Sequence, residues 1–528
     1  MKRVFFFLLM LASFSLSAQN ISVEGAQSGV WGVDTVKVVG NVKVTDTLRI
    51  MPGTVVLFEG FYGILVGNNA SLIAQGAVDD SIVFTVSDTT SLFEYNNNRG
   101  AWNGIECSKA LHLKLDYCVF QYAKASDTLD MSGGAIKAML SDDIEINHCA
   151  FRHNFSRENG GAISAVLSSV KMSDCVITNN KVFSEDNLFY RYGGALHFLK
   201  CDVEMSDMDF HDNDGSVCVG GALSLDSCSL ILDRAVFHHN LGLNGGGLYL
   251  MRCNDKRCVL SNLLFHDNVS GHFAGGLAFC AASPDVYNMT VTGNASIGVS
   301  CNAIFFYQES SPRLYNSIIY GNYPSIDSTF EQDFAQMWMW TYEGYGPKFY
   351  NCLIEGGTSQ IHSPEYIQLL EEVIDADPLF VDPEHYDYQL SASSPCRDAG
   401  CVSTPDDVLA GLDLAGQPRL SNGRVDIGAY EYSVVKVDET ATVLDGPRVI
   451  GVPLSSQSRL MLDLDASFEV TVSVYSLQGQ RLASRRFGSC GTGKNMLDLG
   501  GFSEELCPGV YLLEVCAGDN RWTLKTVR

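Results

Sequence analysis

A short sequence pattern that returns about every thirty residues is the strongest constraint on the fold of this chain. Gly-Gly-Ala-Ile, or a looser variant of it, begins at Gly133, Gly160, Gly193, Gly220, Gly245 and Gly275. A second anchor, an apolar residue followed three positions later by Asn, begins at Phe151, Ile177, Phe210, Phe237, Phe265, Val291 and Ile319. Successive second anchors lie 26 to 33 residues apart. Since a unit this short cannot bury its own apolar face, we expect the copies to stack on one another.

Each copy of the repeat predicts short strands joined by turns. Segments such as Ala135–Met139 and Ala222–Leu225 are short, mostly apolar and bounded by Gly, Asp or Ser, and helix start and stop signals are missing. A propeller blade needs about 40 residues or more, so a solenoid with one coil per repeat fits better. We expect Gly at tight corners and the second-anchor Phe pointing inward, about 4.8 Å from the next Phe. We expect Asn to adopt the left-handed conformation and to bond its counterpart one coil away.

The repeats resemble the polymorphic outer-membrane-protein repeat, in which Gly-Gly-Ala-Ile/Leu and Phe-x-x-Asn anchors build a right-handed parallel β-helix. The resemblance covers residues 133–322, and Leu48–Val56 and Ala101–Ile105 look like earlier coils of the same kind. It implies a parallel β-helix over residues 19–373. With the C-terminal strand pattern described below, we expect an all-β chain in which a small β-sandwich follows the β-helix.

The start of the chain predicts export. Lys2 and Arg3 precede an apolar run, and small residues follow up to Ala18, which is the pattern of a secretory signal peptide over residues 1–18. The apolar run is too short and too broken by serines to predict a membrane anchor. We therefore expect a secreted protein, at the outer-membrane surface or in the extracellular space.

Charge excludes one class of partner. The chain has 61 acidic and 35 basic residues, a net charge of −26. Nucleic acids and anionic membranes attract proteins that present a positive field. We therefore expect no nucleic-acid partner, and instead a polysaccharide or another ligand on a host or microbial surface.

Residues 374–432 differ from the repeats in composition. Ile374–Asp382, Ser394–Gly400 and Arg424–Tyr432 strongly resemble the choice-of-anchor region that ends many bacterial surface β-helices. In physical terms, the segment predicts a turn-rich cap over the open solenoid end. Its acidic residues lack the spacing of a known calcium loop, which favours turn formation and no cofactor, although calcium remains an alternative. A linker is predicted over residues 433–457.

Residues 458–528 alternate as five short strands, which predicts a small β-sandwich. The module resembles the C-terminal sorting domain of the type IX secretion system, through the residues Gly479, Pro508, Gly509, Tyr511 and Lys525. The resemblance implies the type IX secretion machinery as a partner, followed by release of the cargo or its attachment to surface lipopolysaccharide. An ordinary adhesive β-sandwich is the alternative.

The 17 cysteines are interpreted mainly as core residues. Cys118, Cys149 and Cys175 share a strand face with a nearby apolar residue, as small buried side chains do. Cys396 and Cys401 are the best disulfide candidates, since they lie close together in a loop-like segment.

Parallel β-helices include polysaccharide lyases and hydrolases, so catalytic motifs in the sequence would indicate an enzyme. Acidic pairs such as Asp79-Asp80 and Asp142-Asp143 occur, but without the Gly-His-Gly and Arg-x-Lys motifs of polygalacturonases. No acidic ladder with a neighbouring basic residue indicates a calcium-dependent lyase. We therefore expect a protein that is not an enzyme and name no catalytic residue. A β-helix polysaccharide lyase or glycoside hydrolase is the alternative.

Three histidines occupy one repeat position, directly after the inward-facing Phe. His211, His238 and His266 should project outward on successive coils, where imidazoles beside carboxylates could bind zinc or nickel. The simpler interpretation is a solvated polar ladder.

An aromatic stretch near residue 340 is the candidate ligand-binding surface. Trp338, Trp340 and Tyr342 could stack on sugar rings or anchor an interface. The alternative is that they cover the side of the solenoid. These observations together predict an adhesin or a glycan-binding surface, with a purely structural surface rod as a further possibility.

Overall fold

The repeats form the coils of a right-handed parallel β-helix. The computed structural model describes residues 20–527 except 93, 95–96, 127–130, 185–190, 255–256, 299–300, 323–335, 421–422, 433–447, 451–457, 465, 477–480, 506–509 and 519. Residues 1–433 and 434–528 form two separate compact units. The predicted signal peptide lies outside the described residues.

Each coil of the first unit contributes strands to three faces of the helix, and equivalent strands pair in parallel from coil to coil. The first two strands, Asn20–Trp31 and Thr35–Ile50, bend around all three faces. Face A contains Ile64–Val66, Ile105–Ser108, Ile136–Met139, Ile163–Val166, Leu196–Leu199, Leu223–Asp226, Leu248–Met251, Leu277–Cys280, Ile304–Gln308, Met337–Thr341 and Ile361–His362.

Faces B and C complete each coil. Face B contains Ser71–Gln75, His112–Asp116, Ile144–Asn147, Arg313–Tyr315, Lys348–Tyr350 and Leu369–Glu371, and face C contains Val55–Phe58, Ile82–Val86, Cys118–Gln121, Ala150–Arg152, Ile318–Ile319 and Leu353–Ile354. In the middle coils the two faces share one long strand, namely Ser169–Thr178, Asp202–His211, Ser229–His238, Val259–His266 and Asp285–Thr292. A residue with positive φ bends each of these long strands, such as Asp174 at 52° and Asn262 at 57°.

A smaller parallel sheet stands beside the β-helix. It consists of Lys124–Ala125, Phe155–Ser156, Lys181–Val182, Arg191–Tyr192, Asp214–Val219, Leu241–Asn244, Val269–Phe273 and Ala295–Ser296. The repeated Gly pair carries the chain from this sheet into face A. Gly193 has φ 63°, and a Cβ on Gly194 would overlap the main-chain oxygen of Gly221 on the next coil. Only glycine permits both the left-handed turn and the close approach.

The predicted phenylalanine column fills the core. Phe210, Phe237 and Phe265 are fully buried, and the ring centroids lie 4.5 and 4.6 Å apart from one coil to the next. Parallel coils about 4.8 Å apart place identical side chains in van der Waals contact. This expectation is confirmed.

The asparagines of the second anchor form a buried hydrogen-bonded column. Each donates from its main-chain nitrogen and from Nδ2 to Oδ1 of the next, along Asn154, Asn180, Asn213, Asn240, Asn268, Asn294 and Asn322. Gln336 ends the column by accepting from Nδ2 of Asn322.

The predicted left-handed conformation of these asparagines is wrong. The residue before each Asn takes the positive φ, for example His153 at 55°, Asp212 at 54° and Asp267 at 53°. The chain turns its corner one residue earlier, because the Asn side chain must point into the coil to reach its neighbours.

Residues 374–432, here called the strap, lie along the side of the last coils. The sequence had predicted that they would cover the end of the solenoid. The strap contains an antiparallel strand pair, Phe380–Asp382 with Asp387–Leu390, and short helices at Pro383–His385 and Asp406–Leu409. Further 3-10 turns precede it at Gly357–Gln360 and Pro364–Tyr366.

Asparagines at the bend between faces B and C hold the strap across four consecutive coils. Asn262 accepts a hydrogen bond from Arg419 at 2.7 Å. Asn288 donates to the main-chain oxygen of Asp426 at 3.0 Å. Asn316 accepts from the main-chain nitrogen of Cys401 at 2.6 Å. Asn351 donates to the main-chain oxygen of Ala399. These amides bond to the strap instead of to solvent, which explains its lateral position.

The predicted disulfide between Cys396 and Cys401 is not formed in the structure, where the two buried, free cysteines have different surroundings. Cys396 packs with Ile318, Leu353 and Ile427, where strap and coils meet. Cys401 is held separately through its main chain by Asn316.

The second unit is the predicted β-sandwich. One sheet contains Arg448–Ile450, Arg459–Leu464 and Gly493–Asp498, and the other contains Phe468–Ser476, Arg481–Cys490, Val510–Ala517 and Asn520–Val527, with a helix at Gly500–Glu505. Leu460 and Leu462 of one sheet share a core with Val472 and Leu513 of the other. The first strand begins inside the predicted linker, so the prediction that the module starts at residue 458 places it too late.

Candidate functional site: an aromatic cleft beside face A

A cavity of about 480 Å³ lies between the outer side of face A and the smaller sheet. Strand alternation explains how its floor forms, since every second residue of a face A strand points away from the core. Tyr249, Ala278, Phe305 and Trp338 are in register on successive coils, as are Met251, Cys280, Tyr307 and Trp340.

Aromatic rings from five strands line the cavity. Phe273, from the smaller sheet, stacks on Phe305 with 4.4 Å between ring centroids and meets Trp340 edge-on at 6.3 Å. Tyr307 also meets Trp340 edge-on, at 5.8 Å. Trp340 is 54% exposed, so much of its indole is open to a ligand.

Polar groups lie at the edges of this apolar lining. Arg252 and the neighbouring Asp226 form a two-bond ion pair. Asn244 and Gln308 contribute amides to the lining. The arrangement of an aromatic floor with a few fixed polar groups is typical of small-molecule and sugar sites.

Two ionisable groups in the cavity are kept neutral. Burial raises the pKa of Tyr249 well above its ordinary value, and burial also raises the pKa of the Cys280 thiol. Cys280 donates a hydrogen bond to Oε1 of Gln308 at 3.6 Å. Neither group is poised as a nucleophile or a general base, since both favour the protonated form.

The three aromatic residues predicted from the sequence have different positions. Trp340 lines the cavity. Trp338 lies beside it, stacked on His362 at 4.2 Å and packed against Phe273, so its role is mainly to support the floor. Tyr342 is 54% exposed but lies outside the lining.

Sequence reasoning missed Tyr249, Phe273, Phe305 and Tyr307. The signal was present for three of them, because aligning the first strand of successive repeats places Tyr249, Phe305 and Tyr307 at outward positions. Phe273 reaches the cavity from the smaller sheet, whose existence the repeat did not predict.

The predicted histidine column is present. His211, His238 and His266 stack with 4.9 Å between neighbouring centroids, and Tyr386 of the strap packs on His266. Face-to-face stacking directs the ring nitrogens sideways, where Asp212 and Asp267 bond to His211 and His266. Among the described residues, no group of three or more His, Cys, Asp or Glu is placed to hold a metal ion.

The acidic residues of the strap stabilise turns, as the sequence analysis predicted for residues 374–432. Asp413 accepts hydrogen bonds from the main-chain nitrogens of Ala415, Gln417 and Glu431. Asp426 accepts from the main chain of Asp398 and Tyr432.

The predicted sorting residues are only partly described. Gly479, Pro508 and Gly509 lie outside the described residues. Tyr511 is buried in the sandwich core, and Lys525 belongs to the last strand, where it pairs with Leu512. No helix in the described part of the chain is long and apolar enough to cross a membrane.

Comparison with known proteins supports the fold of the middle coils. Residues 103–286 match the family model of the right handed beta helix region. No curated protein matches the chain. A solved structure, the crystal structure of pectate lyase Pel9A, is similar over 72% of this chain and 88% of its own, with 11% identity and a TM-score of 0.25. A likeness this low supports neither a shared substrate nor a shared reaction.

Proposed function

We propose that this protein is an exported, surface-displayed β-helix that binds a glycan in the aromatic cleft. The observation that carries the proposal is the cavity beside face A, in which Phe305, Tyr307 and Trp340 surround a space open to solvent. A sugar ring presents C–H groups on its faces and hydroxyls on its edge. Aromatic faces suit the former, and the Arg252 and Gln308 side chains suit the latter.

Charge favours a neutral saccharide. Among the described lining residues, Arg252 is the one with a positively charged side chain, and its ion pair with Asp226 neutralises that charge. The chain as a whole carries a net charge of −26, which repels polyanions at long range.

The lining favours binding over hydrolysis. Hydrolysis of a glycosidic bond ordinarily uses two carboxyl groups placed across the scissile bond. The described lining residues include no Asp, Glu or His. A lyase or hydrolase remains the competing function and is an outcome of the experiment below.

Export and display rest on the sequence and the second unit together. The signal-peptide pattern of residues 1–18 and the sandwich that contains Tyr511 support passage through a type IX secretion machinery. Attachment to surface lipopolysaccharide or release of the chain would follow. Either route would present the cleft to extracellular polysaccharides.

A retention experiment with the full chain tests the proposal. Neutral and acidic plant, host and microbial polysaccharides are immobilised, and retention and new reducing ends are measured together. We expect retention on a neutral glycan without new ends. Trp340→Ala should weaken retention about tenfold or more, because a half-exposed ring would lose its stacking contact.

Tyr342→Ala is the matched control, since Tyr342 is as exposed as Trp340 and lies outside the cleft. Equal effects of the two substitutions would place binding elsewhere on the surface. New chain ends would identify an enzyme.

A further inference from the structure

A pair of cysteines flanks a loop inserted into one coil of the β-helix. Cys228 and Cys253 are equivalent, each two residues after the paired residues Asp226 and Met251. After Cys228 the chain reaches the inward-facing Leu230 in two steps. After Cys253 it reaches the equivalent position only at Cys258, so the chain has three more residues at this point than on the preceding coil.

Cys258, the first residue after this insertion that points inward, replaces the aliphatic residue of the preceding coils. The same inward column contains Val170, Val203 and Leu230 on the preceding coils. Cys253 is fully buried and Cys258 is 2% exposed. Both side chains therefore point into the core, one before and one after residues 254–257.

Both cysteines are free thiols in the structure, and their side chains lie within hydrogen-bonding reach of each other. Their hydrogen bond lowers the pKa of Cys253, whereas burial alone would raise it. A lower pKa increases the thiolate fraction, and the thiolate is the species that attacks a disulfide.

We propose that Cys253 and Cys258 form a disulfide that clasps the loop 254–257. In a mixture of reduced and oxidised glutathione, the Cys253 thiolate attacks oxidised glutathione and releases one reduced glutathione. The Cys258 thiolate then attacks the mixed disulfide and releases the second. The protein loses two electrons and two protons, and one glutathione disulfide becomes two thiols.

The clasp has a consequence for the cleft. Arg252 directly precedes Cys253, and its main-chain nitrogen donates to Cys280 on the next coil. The disulfide would fix the corner from which Arg252 enters the lining. The inference itself does not depend on glycan binding.

Refolding and fragment mass measurement test the disulfide. The full chain is refolded in a reduced and oxidised glutathione mixture, unreacted thiols are alkylated, and the chain is cleaved before aspartates without reductant. Cleavage before Asp233, Asp255 and Asp267 yields two fragments, residues 233–254 and 255–266, with one cysteine each. We expect a single linked species, two hydrogens lighter than the sum of its fragments, which separates on reduction.

Variants keep the test decisive. Cys201→Ala should leave the linked species intact, whereas Cys258→Ala should leave residue 253 alkylated. Two separate alkylated fragments from folded, protease-resistant protein would overturn the proposal. So would a link between Cys253 and the fragment 226–232, which contains Cys228, the nearest rival thiol.

Discussion

At the scale of single residues, the buried asparagine column shows how the fold depends on exact polar matching. Asn240 accepts two hydrogen bonds from Asn213 and donates to Asn268 and to the main-chain oxygen of Phe210. Burial makes each of these groups costly to leave without a partner.

Replacement of Asn240 by Ala should therefore destabilise the β-helix by about 3 kcal/mol, since it leaves several buried donors and acceptors unpaired. The midpoint of urea unfolding measures the effect. Asn147→Ala is the control, because Asn147 lies on an outer face and accepts one bond from Ser173. A loss no larger than that of the control would show that water enters and satisfies the column.

Residue-scale features were predictable where one rule acts on every coil. The stacked Phe210 and Phe237 follow from identical residues at a constant interval, and so does the contact between successive asparagines. The left-handed residue was placed incorrectly, because the sequence does not say which of two adjacent positions bends. His153, Asn179 and Asp212 occupy that position without a shared side-chain type.

At the scale of elements, the strap shows the limit of reasoning from composition. Its turn chemistry was predicted from the acidic residues. The path of the strap along the bend residues Asn262 to Asn351 was not predicted. Those asparagines lie in other repeats, and the sequence around them does not indicate that they bind the strap. The aromatic cleft has the same property, since Phe273 and Trp340 meet only after the coils have stacked.

The strap also carries a buried ionic cluster that predicts a pH response. Arg419 is fully buried and bonds to Glu431 at 2.9 Å, while Asp413 and Asp426 are buried nearby. Burial raises the pKa of Glu431 to about 7, and the Asp426 carboxylate adds to the effect.

A carboxyl group whose folded pKa exceeds its unfolded value of 4.5 stabilises the fold while it is protonated. We therefore expect the strap to lose stability as the pH rises from about 4.5 to about 7. Protease resistance of residues 374–432 across this range measures it. Glu431→Gln should flatten the response, whereas Glu384→Gln, on an exposed turn, should not. A response that Glu431→Gln leaves unchanged would assign the pH dependence to another group, such as Asp426, whose pKa burial also raises.

At the scale of the whole molecule, the chain contains two cores of different kinds. One extends from Val23 to Ile361 and is built by stacking, so each coil stabilises its neighbours. The other, around Val472 and Leu513, is closed within a sandwich of two sheets. Among the residues that the structure describes, none belongs to both clusters.

Separate cores predict independent unfolding. Residues 19–433 produced alone should unfold with a free energy within about 0.5 kcal/mol of that of the same residues in the full chain. Calorimetry of the full chain should show two transitions, of which the shortened chain keeps one. A single shared transition, or a clear loss of stability on shortening, would mean that the sandwich supports the β-helix. Independent units are what the proposed sorting role of the sandwich requires, because removal of the sandwich would then leave the coils and the aromatic cleft intact.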